Sequence, residues 1–353
     1  MSAKRFDSMR LERLATEMLI RAGVSPRHAE TVARSLVHAD LRAIHSHGMA
    51  RLAVYLKRVE QGLIDLDQEP SIHKQAGATA IVNGKNHLGA VVGEAALQTA
   101  LELAEQYGIG VVGVAASNHF GACSYYAEQA VEKGYILILM SNAPKSMAPT
   151  GGVRPFFGSN PIAAGIPTGV EPPFLLDMAT AVAARGKIAL AAQKGEAIPQ
   201  GWAIDERGRD TTDPVQALRG ALLPIAGAKG YGLSMLVDIL CGLLTGAGYG
   251  PDVHSLYEND FFPQNVGHLF LTLRIENFMP LALFQQQMDT YIRQIKAEPK
   301  MEGQDEILIP GEKEWRTAAE RRTNGIPLPD EIALELETIC AKYQLTLEEA
   351  RIQ

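Results

Sequence analysis

The sequence predicts an α/β protein with a helical lobe at its N-terminus. Apolar residues recur at helical spacing through the first 60 residues, and between about 76 and 192 segments of helical period alternate with short runs rich in Val, Ile and Ala. A Gly- and Pro-rich stretch at 142–169 marks a long structured loop system among those elements.

Leu11, Leu14, Met18 and Leu19 share one helical face, and Gly23 is placed to end that helix. Ser25-Pro26 reads as the N-cap and first residue of a second helix running to about 41. Beyond His45-Ser46-His47-Gly48 a third helix carries Leu52, Tyr55, Leu56 and Val59. Residues 78–82 read as a strand and Asn83-Gly84 as its turn, followed by a helix at 90–107, a strand at 109–115, a helix at 121–133 and a strand at 135–140. Past the loop system come a short strand at 174–176, a helix at 181–192, a hairpin at 202–210 with Gly208 in its turn, and a strongly apolar helix at 229–244. Residues 268–274 alternate as a strand and 283–297 are amphipathic. The tail beyond 300 is charged, carries the turn pairs Pro310-Gly311 and Asn324-Gly325, and closes with a helix at 330–343.

The 353 residues, 46% hydrophobic and 21% charged, suit a globular chain of two or three lobes. A formal net charge of -7 argues against a nucleic-acid binder, which needs a basic face. No apolar run approaches the roughly 20 residues that span a bilayer, and the polar first ten residues lack an apolar signal region, so a cytoplasmic protein without a membrane partner is expected. Three widely spaced cysteines with no CxxC read as buried thiols, and His45 and His47 lack a third ligand at metal-binding spacing, so no metal site is expected.

Gly108-Ile109-Gly110-Val111-Val112-Gly113 matches the dinucleotide fingerprint G-x-G-x-x-G, but its context is reversed. The fingerprint requires strand, glycine turn, then helix. Here a helix precedes the glycines and a strand follows, so Gly108 is read as a left-handed helix cap and a Rossmann domain is not expected.

The chemistry-bearing residues fall in short clusters. His45, Ser46 and His47 precede a helix on which Arg51 and Tyr55 lie one turn apart. A guanidinium grips a carboxylate through two parallel hydrogen bonds, and an imidazole exchanges protons near neutral pH, the parts needed to hold and oxidise a 2-hydroxy acid. Taken alone, the cluster more readily means histidines that cap the helix or bind structural water and an Arg51 in a surface ion pair. His119, in Ser117-Asn118-His119-Phe120-Gly121, follows a buried strand and is a candidate acid–base group, or a backbone-bonded residue beside a capping Asn118. Asn160, in Gly158-Ser159-Asn160-Pro161, and Asp177-Met178-Ala179 lie among small residues that let a flat cofactor approach the backbone; Asp177 would accept from a ribose or amide, or simply cap a helix. Ala228-Lys229-Gly230 opens the apolar helix and offers free N–H groups and a cation to an anion, without the spacing of a Walker motif. Pro310-Gly311-Glu312 reads as a turn by itself.

Together these stretches resemble the malate/L-lactate dehydrogenase family that is unrelated to the Rossmann lactate and malate dehydrogenases and includes ureidoglycolate, sulfolactate and 2,3-diketogulonate enzymes. The matching stretches are HSHG with Arg51, SNHFGA, GSNP, LLDMAT, the WAID…TTDP segment ending at Asp213-Pro214, GAKGYG and PGE, in the family's order from about residue 10 to 327. The resemblance implies a mixed β-sheet with a family-specific, non-Rossmann NAD(P)-binding fold and a homodimer. It implies a helical lobe at 1–75 packing with about 290–353, a central sheet lobe from 76–118 and 246–289, and a cofactor lobe at 119–245. It places a small 2-hydroxy or 2-oxo acid at Arg51, Tyr55, His47 and Ser46. NAD or NADP, with NAD favoured, is placed at Asp177, Met178, Ala179, Asn160, Ala228, Lys229, Gly230, Pro310, Gly311 and Glu312. His119 matches a proton acceptor in ureidoglycolate enzymes and His45 a proton donor in diketogulonate reductases; the position of His119 after a sheet strand favours it. Ala143-Pro144 stands where ureidoglycolate enzymes carry Ser-Asp, so the resemblance does not single out that substrate. A ureidoglycolate dehydrogenase, a cyclic imine reductase and a metabolite-binding protein on the same fold are the alternatives.

Overall fold

The computed structural model describes residues 4–257 and 261–352. The N-terminal lobe holds β1 (Arg5–Phe6), α1 (Ser8–Arg21), α2 (Pro26–Leu41) and α3 (Leu52–Glu60). Next come β2 (Ser71–Ala76), β3 (Thr79–Asn83), α4 (Gly89–Tyr107), β4 (Ile109–Ser117), α5 (Cys123–Glu132) and β5 (Tyr135–Ser141). The middle of the chain adds β6 (Ile162–Ile166), β7 (Phe174–Met178), α6 (Arg185–Lys194), β8 (Ala203–Ile204), α7 (Pro214–Arg219), β9 (Ala221–Leu222) and α8 (Ala228–Asp238). Last are β10 (Val266–Arg274), α9 (Leu281–Ala297), α10 (Glu312–Asn324), β11 (Ile326–Pro327) and α11 (Asp330–Lys342).

The central sheet has seven strands in the order β2-β3-β4-β10-β5-β6-β7. Only β3 and β4 run parallel, joined through α4; every other neighbouring pair is antiparallel. That mixed order is incompatible with a Rossmann sheet, whose strands are mostly parallel. Alternation along β4 explains its place: Val112 and Val114 turn into the core under α4 and α5, while Val111 packs toward Val237 and Cys241 on the opposite face. Each fully buried aliphatic side chain such as Leu97 or Leu137 contributes roughly 1.5–3 kcal/mol.

The reversed fingerprint has a structural reason. Gly108 caps α4 at φ +82°, and a Cβ on Gly110 would lie 2.0 Å from the Ala100 carbonyl oxygen, so glycine lets α4 press onto β4.

The C-terminal segment returns to the N-terminal lobe. Ala318, Leu336, Cys340 and Leu347 share one buried cluster with Leu11, Met18, Leu36 and Leu52, and β1 pairs with β11. All three cysteines are free and buried.

Several elements depart from the sequence expectation. β6 lies inside the expected loop system, because Ile162–Ile166 is short and built on small residues and Gly165. β2 is exposed along its whole length and polar, so it gives no apolar alternation. The 202–210 segment turns at Gly208 (φ +80°), but β8 pairs chiefly with β9 rather than closing a simple hairpin. α6 starts at Arg185 because Ala181 bridges Pro224 and the Val182 N–H bonds the Leu223 carbonyl. The apolar helix from 228 changes pitch into a π-helical turn at Ile239–Leu243, and the charged stretch after 311 forms α10.

Candidate active site

The loop after α2 folds around a buried carboxylate. Asp40 has no exposed surface; it accepts from the Met49 N–H at 2.7 Å and meets His45 Nδ1 at 2.6 Å. A Cβ on Gly48 would stand 2.3 Å from the Asp40 carboxylate, so only glycine permits this wrap. His45 Nε2 faces Arg321 Nη1 at 3.2 Å. A guanidinium only donates, which makes Nε2 the acceptor and Nδ1–H the donor to Asp40. Both nitrogens of His45 are therefore spent inside the protein.

The same loop presents His47 and Arg51, and α3 presents Tyr55, toward the end of β4. There the Asn118 amide nitrogen donates to Asn86 Oδ1 at 2.9 Å and to the His87 carbonyl at 2.9 Å, and the His119 N–H donates to Gln264 Oε1 at 3.0 Å. The loop is thus fixed before the imidazole is placed. His119 Nδ1 lies 2.6 Å from the Tyr55 hydroxyl, and its ring centroid is 5.4 Å from that of His47. Arg51 donates from Nε to the Ser46 carbonyl at 2.6 Å, and its guanidinium carbon lies 5.2 Å from the centre of the Tyr257 ring. Among the described residues Arg51 makes no other hydrogen bond, so its two terminal nitrogens remain for a carboxylate. Imidazole and guanidinium converge within one chain.

The electrostatics follow from enclosure. Burial first, then Arg51 and His47, pushes the His119 pKa well below the ordinary imidazole range. Burial, then Arg51, brings His47 down to about 4. Burial raises the Tyr55 pKa, so its hydroxyl stays protonated. At neutral pH the pocket holds neutral imidazoles and phenol beside one guanidinium, a setting for carboxylate binding and proton exchange.

The second set of residues lies along β7 and α8. Asp177 is exposed at the residue level, yet its Oδ2 accepts from the Ser124 N–H at 2.8 Å, capping α5, whose own N-cap residue Ala122 has no polar side chain to do so. It caps a helix across the sheet rather than one that follows it in sequence. Met178 and Ala179 are half-buried beside it. The Leu175 N–H donates to the Pro310 carbonyl at 3.0 Å, which brings Pro310-Gly311 against β7. Ala228 and Lys229 are exposed where α8 begins without a side-chain cap, while Gly230 is buried. An uncapped helix start and an exposed ammonium on α8, and an exposed carboxylate on β7, are donor and acceptor groups of the kind that could hold a dinucleotide's phosphates and ribose. Two residues of the expected set are spent elsewhere. Asn160 is buried, accepting from the Ala143 N–H at 3.1 Å and donating to the Ser234 carbonyl at 3.0 Å, so it braces the loop against α8. Glu312 is buried against Lys296 Nζ at 2.6 Å and Arg316 Nη2 at 2.5 Å.

Sequence reading missed Asp40, Arg321, Gln264, Tyr257 and His268 as site residues. His268 joins the two loops that frame the site: its ring nitrogens lie 2.9 Å from Ser117 Oγ and 2.8 Å from Ser141 Oγ, while Phe120 stacks on it at 4.0 Å. It reads simply as a strand residue because β10 enters the sheet from far along the chain. Only Asp40, an acid inside an otherwise apolar helix face just before the two histidines, carried a local signal.

The model of the malate/L-lactate dehydrogenase family matches residues 6–337. The malate dehydrogenase of Pyrococcus abyssi is 40% identical over 92% of this chain and 91% of its own. The NAD(+) ureidoglycolate dehydrogenase of Escherichia coli (strain K12) is 35% identical over 91% and 92%. The structure of sulfolactate dehydrogenase from Methanocaldococcus jannaschii superposes with a TM-score of 0.91 at 36% identity, covering 98% of this chain and 99% of that one. With its mixed sheet, its pocket and these relatives in agreement, the chain belongs to the malate/L-lactate dehydrogenase family and is an oxidoreductase of hydroxy acids.

Proposed function

We propose that this enzyme moves a hydride between a nicotinamide cofactor and C2 of a small 2-hydroxy or 2-oxo acid, with His119 carrying the hydroxyl proton and Arg51 holding the carboxylate. One observation carries the reading: a neutral imidazole anchored by Tyr55 stands beside a guanidinium whose terminal nitrogens have no partner among the described residues and can take a carboxylate. The cofactor, when bound, supplies the hydride acceptor or donor. Lys229 and the start of α8 would hold its phosphates, and Asp177 a ribose. In the oxidation direction His119 Nε2 takes the hydroxyl proton while Nδ1 stays hydrogen-bonded to Tyr55. His47 and Ser46 line the acid's side of the pocket. His45 shapes the loop through Asp40 and Arg321 instead of exchanging the proton.

NAD is the preferred cofactor in this reading. Burial chiefly, and the Glu314 charge to a lesser degree, raise the Asp177 pKa; a carboxylate placed at a ribose disfavours a 2′-phosphate. The relatives include enzymes named for each cofactor, NAD(+) in ureidoglycolate dehydrogenase and NADP(+) in the (2R)-3-sulfolactate dehydrogenase of Chromohalobacter salexigens. No helix among the described residues is long and apolar enough to cross a membrane, and a cytoplasmic homodimer fits the reading. The helical segment after Lys229 exposes Leu236, Leu243 and Leu244, the last at 61%, an apolar strip suited to a second copy of the chain.

The test is His119→Ala, assayed by NADH and NADPH oxidation across pyruvate, oxaloacetate, oxalurate, sulfopyruvate and a cyclic imine. Turnover is expected to fall by about 10²–10⁴ with cofactor affinity, read by nicotinamide fluorescence, unchanged. Normal turnover in that variant refutes the role.

A further inference from the structure

Beside His119, which forms part of its wall, the protein holds a small cavity lined also by Val32, Tyr55, Arg58, Leu88, Asn118 and Gln264. Its free space for the centre of a water-sized sphere is about 10 Å³, room for about one molecule. Asn118 is 3% exposed, and its Oδ1 is a buried acceptor with no hydrogen-bond partner among the described residues. The amide cannot be flipped to cure this, because its nitrogen already faces three acceptors: the Asn86 carbonyl, Asn86 Oδ1 and the His87 carbonyl. A buried orphan carbonyl costs about 1–3 kcal/mol unless something donates to it.

The Tyr55 hydroxyl has the complementary need. For His119 to act as a base, Nε2 must be bare, so the ring proton sits on Nδ1 and donates to the Tyr55 oxygen. The Tyr55 O–H must then donate elsewhere, and no described residue accepts it. In the opposite arrangement Tyr55 donates to Nδ1 and the ring proton sits on Nε2, the wrong tautomer for accepting a proton from substrate.

We propose that this cavity is a structural water site, and that its water accepts from Tyr55 and donates to Asn118 Oδ1, thereby selecting the base-competent tautomer of His119. The inference rests on the assignment of His119 as the proton-transfer group. Asn118 and Tyr55 are positioning residues in it: no proton leaves through the water, which only fixes the direction of the Tyr55 hydrogen bond before and after His119 takes the substrate proton. The charged and titratable groups facing His119 are Arg51, His47 and Tyr55 from the N-terminal lobe, Arg58 across the cavity, and His268 from β10.

Val32→Ile adds one methylene to the cavity wall without touching a polar group, and Tyr55→Phe removes the hydroxyl that the water serves. In Val32→Ile the plateau rate of hydroxy-acid oxidation is expected to fall about 3–10-fold. The acid limb of its pH profile is expected to move down by about 0.5–1 pH unit, the worth of one hydrogen bond to the imidazolium's partner. KM for acid and cofactor should stay within about twofold. On a Tyr55→Phe background the same substitution should change neither rate nor limb. A high-resolution crystal structure should show a water within hydrogen-bond distance of Asn118 Oδ1, and ¹⁵N spectra of the His119 ring should report Nδ1 protonation. An unmoved pH limb in Val32→Ile, an equal effect without the Tyr55 hydroxyl, or a dry cavity overturns the inference while leaving His119 in place. Full turnover in His119→Ala overturns the assignment beneath it.

Discussion

Replacing Arg51 tests the substrate side with a magnitude the geometry supplies. Its Nε is committed to the Ser46 carbonyl at 2.6 Å and its guanidinium carbon sits over the Tyr257 ring, so the side chain is held while both terminal nitrogens are left without a partner among the described residues. A carboxylate bound there makes two charge-assisted hydrogen bonds. Arg51→Lys keeps the positive charge but offers one point donor and loses the Ser46 anchor. One lost hydrogen bond to a charged group is worth about 1.5–3 kcal/mol, or roughly a 10- to 150-fold fall in kcat/KM, expressed mainly in KM because the contact exists before the chemical step. The charge also acts at a distance, since Arg51 helps depress both His47 and His119. Arg51→Gln therefore raises the His119 pKa, and because oxidation needs the neutral ring, the acid limb moves to higher pH. In Arg51→Lys the limb stays in place. Steady-state oxidation of 2-hydroxy acids, followed at the NADH absorbance from pH 4 to 9, reads both effects. A KM within twofold of the parent in Arg51→Lys, or no upward movement of the limb in Arg51→Gln, refutes the reasoning.

Gly48→Ala drives a methyl group into the Asp40 carboxylate at 2.3 Å, so the bonds to Met49 and His45 must shift. The expected cost is about 2–4 kcal/mol with a lower melting temperature and a raised KM for the acid; calorimetry showing an unchanged transition would remove Asp40 as the organiser of the loop. Stability should also fall in mild acid. His87 and His268 are fully buried and held down to about 4 and about 3, chiefly by burial. Their contribution is intact above about 6.5, where both folded and unfolded forms are neutral, and is lost as pH drops toward the folded values because only the unfolded chain binds the protons. Between pH 6.5 and 5 each histidine removes up to about 2 kcal/mol, visible as a falling urea midpoint. His268→Asn should flatten that slope, and an identical slope in the variant would exclude this origin.

Local chemistry made much of this protein readable from its residues. The 3.6-residue period of the N-terminal lobe, the left-handed cap at Gly108 and the alternation of β4 are decided by neighbours within a turn or two, so α1, α2, α4 and β4 stand close to where the sequence puts them. The motifs around His47, Arg51, Tyr55 and His119 name their own chemistry, because imidazole, phenol and guanidinium keep their character wherever they lie. Only the folded chain decided which of them meet. Tyr55 and His119 are 64 residues apart in the chain yet hydrogen-bonded at 2.6 Å, and nothing in either segment encodes the other. β10 enters between β4 and β5 from the far end of the sequence, carrying His268 to both site loops, and Arg321 reaches His45 across 276 positions. Residue type is a property of the chain, whereas tautomer, lowered pKa and a free guanidinium fork come from burial and long-range packing, which arise only once the lobes close on one another.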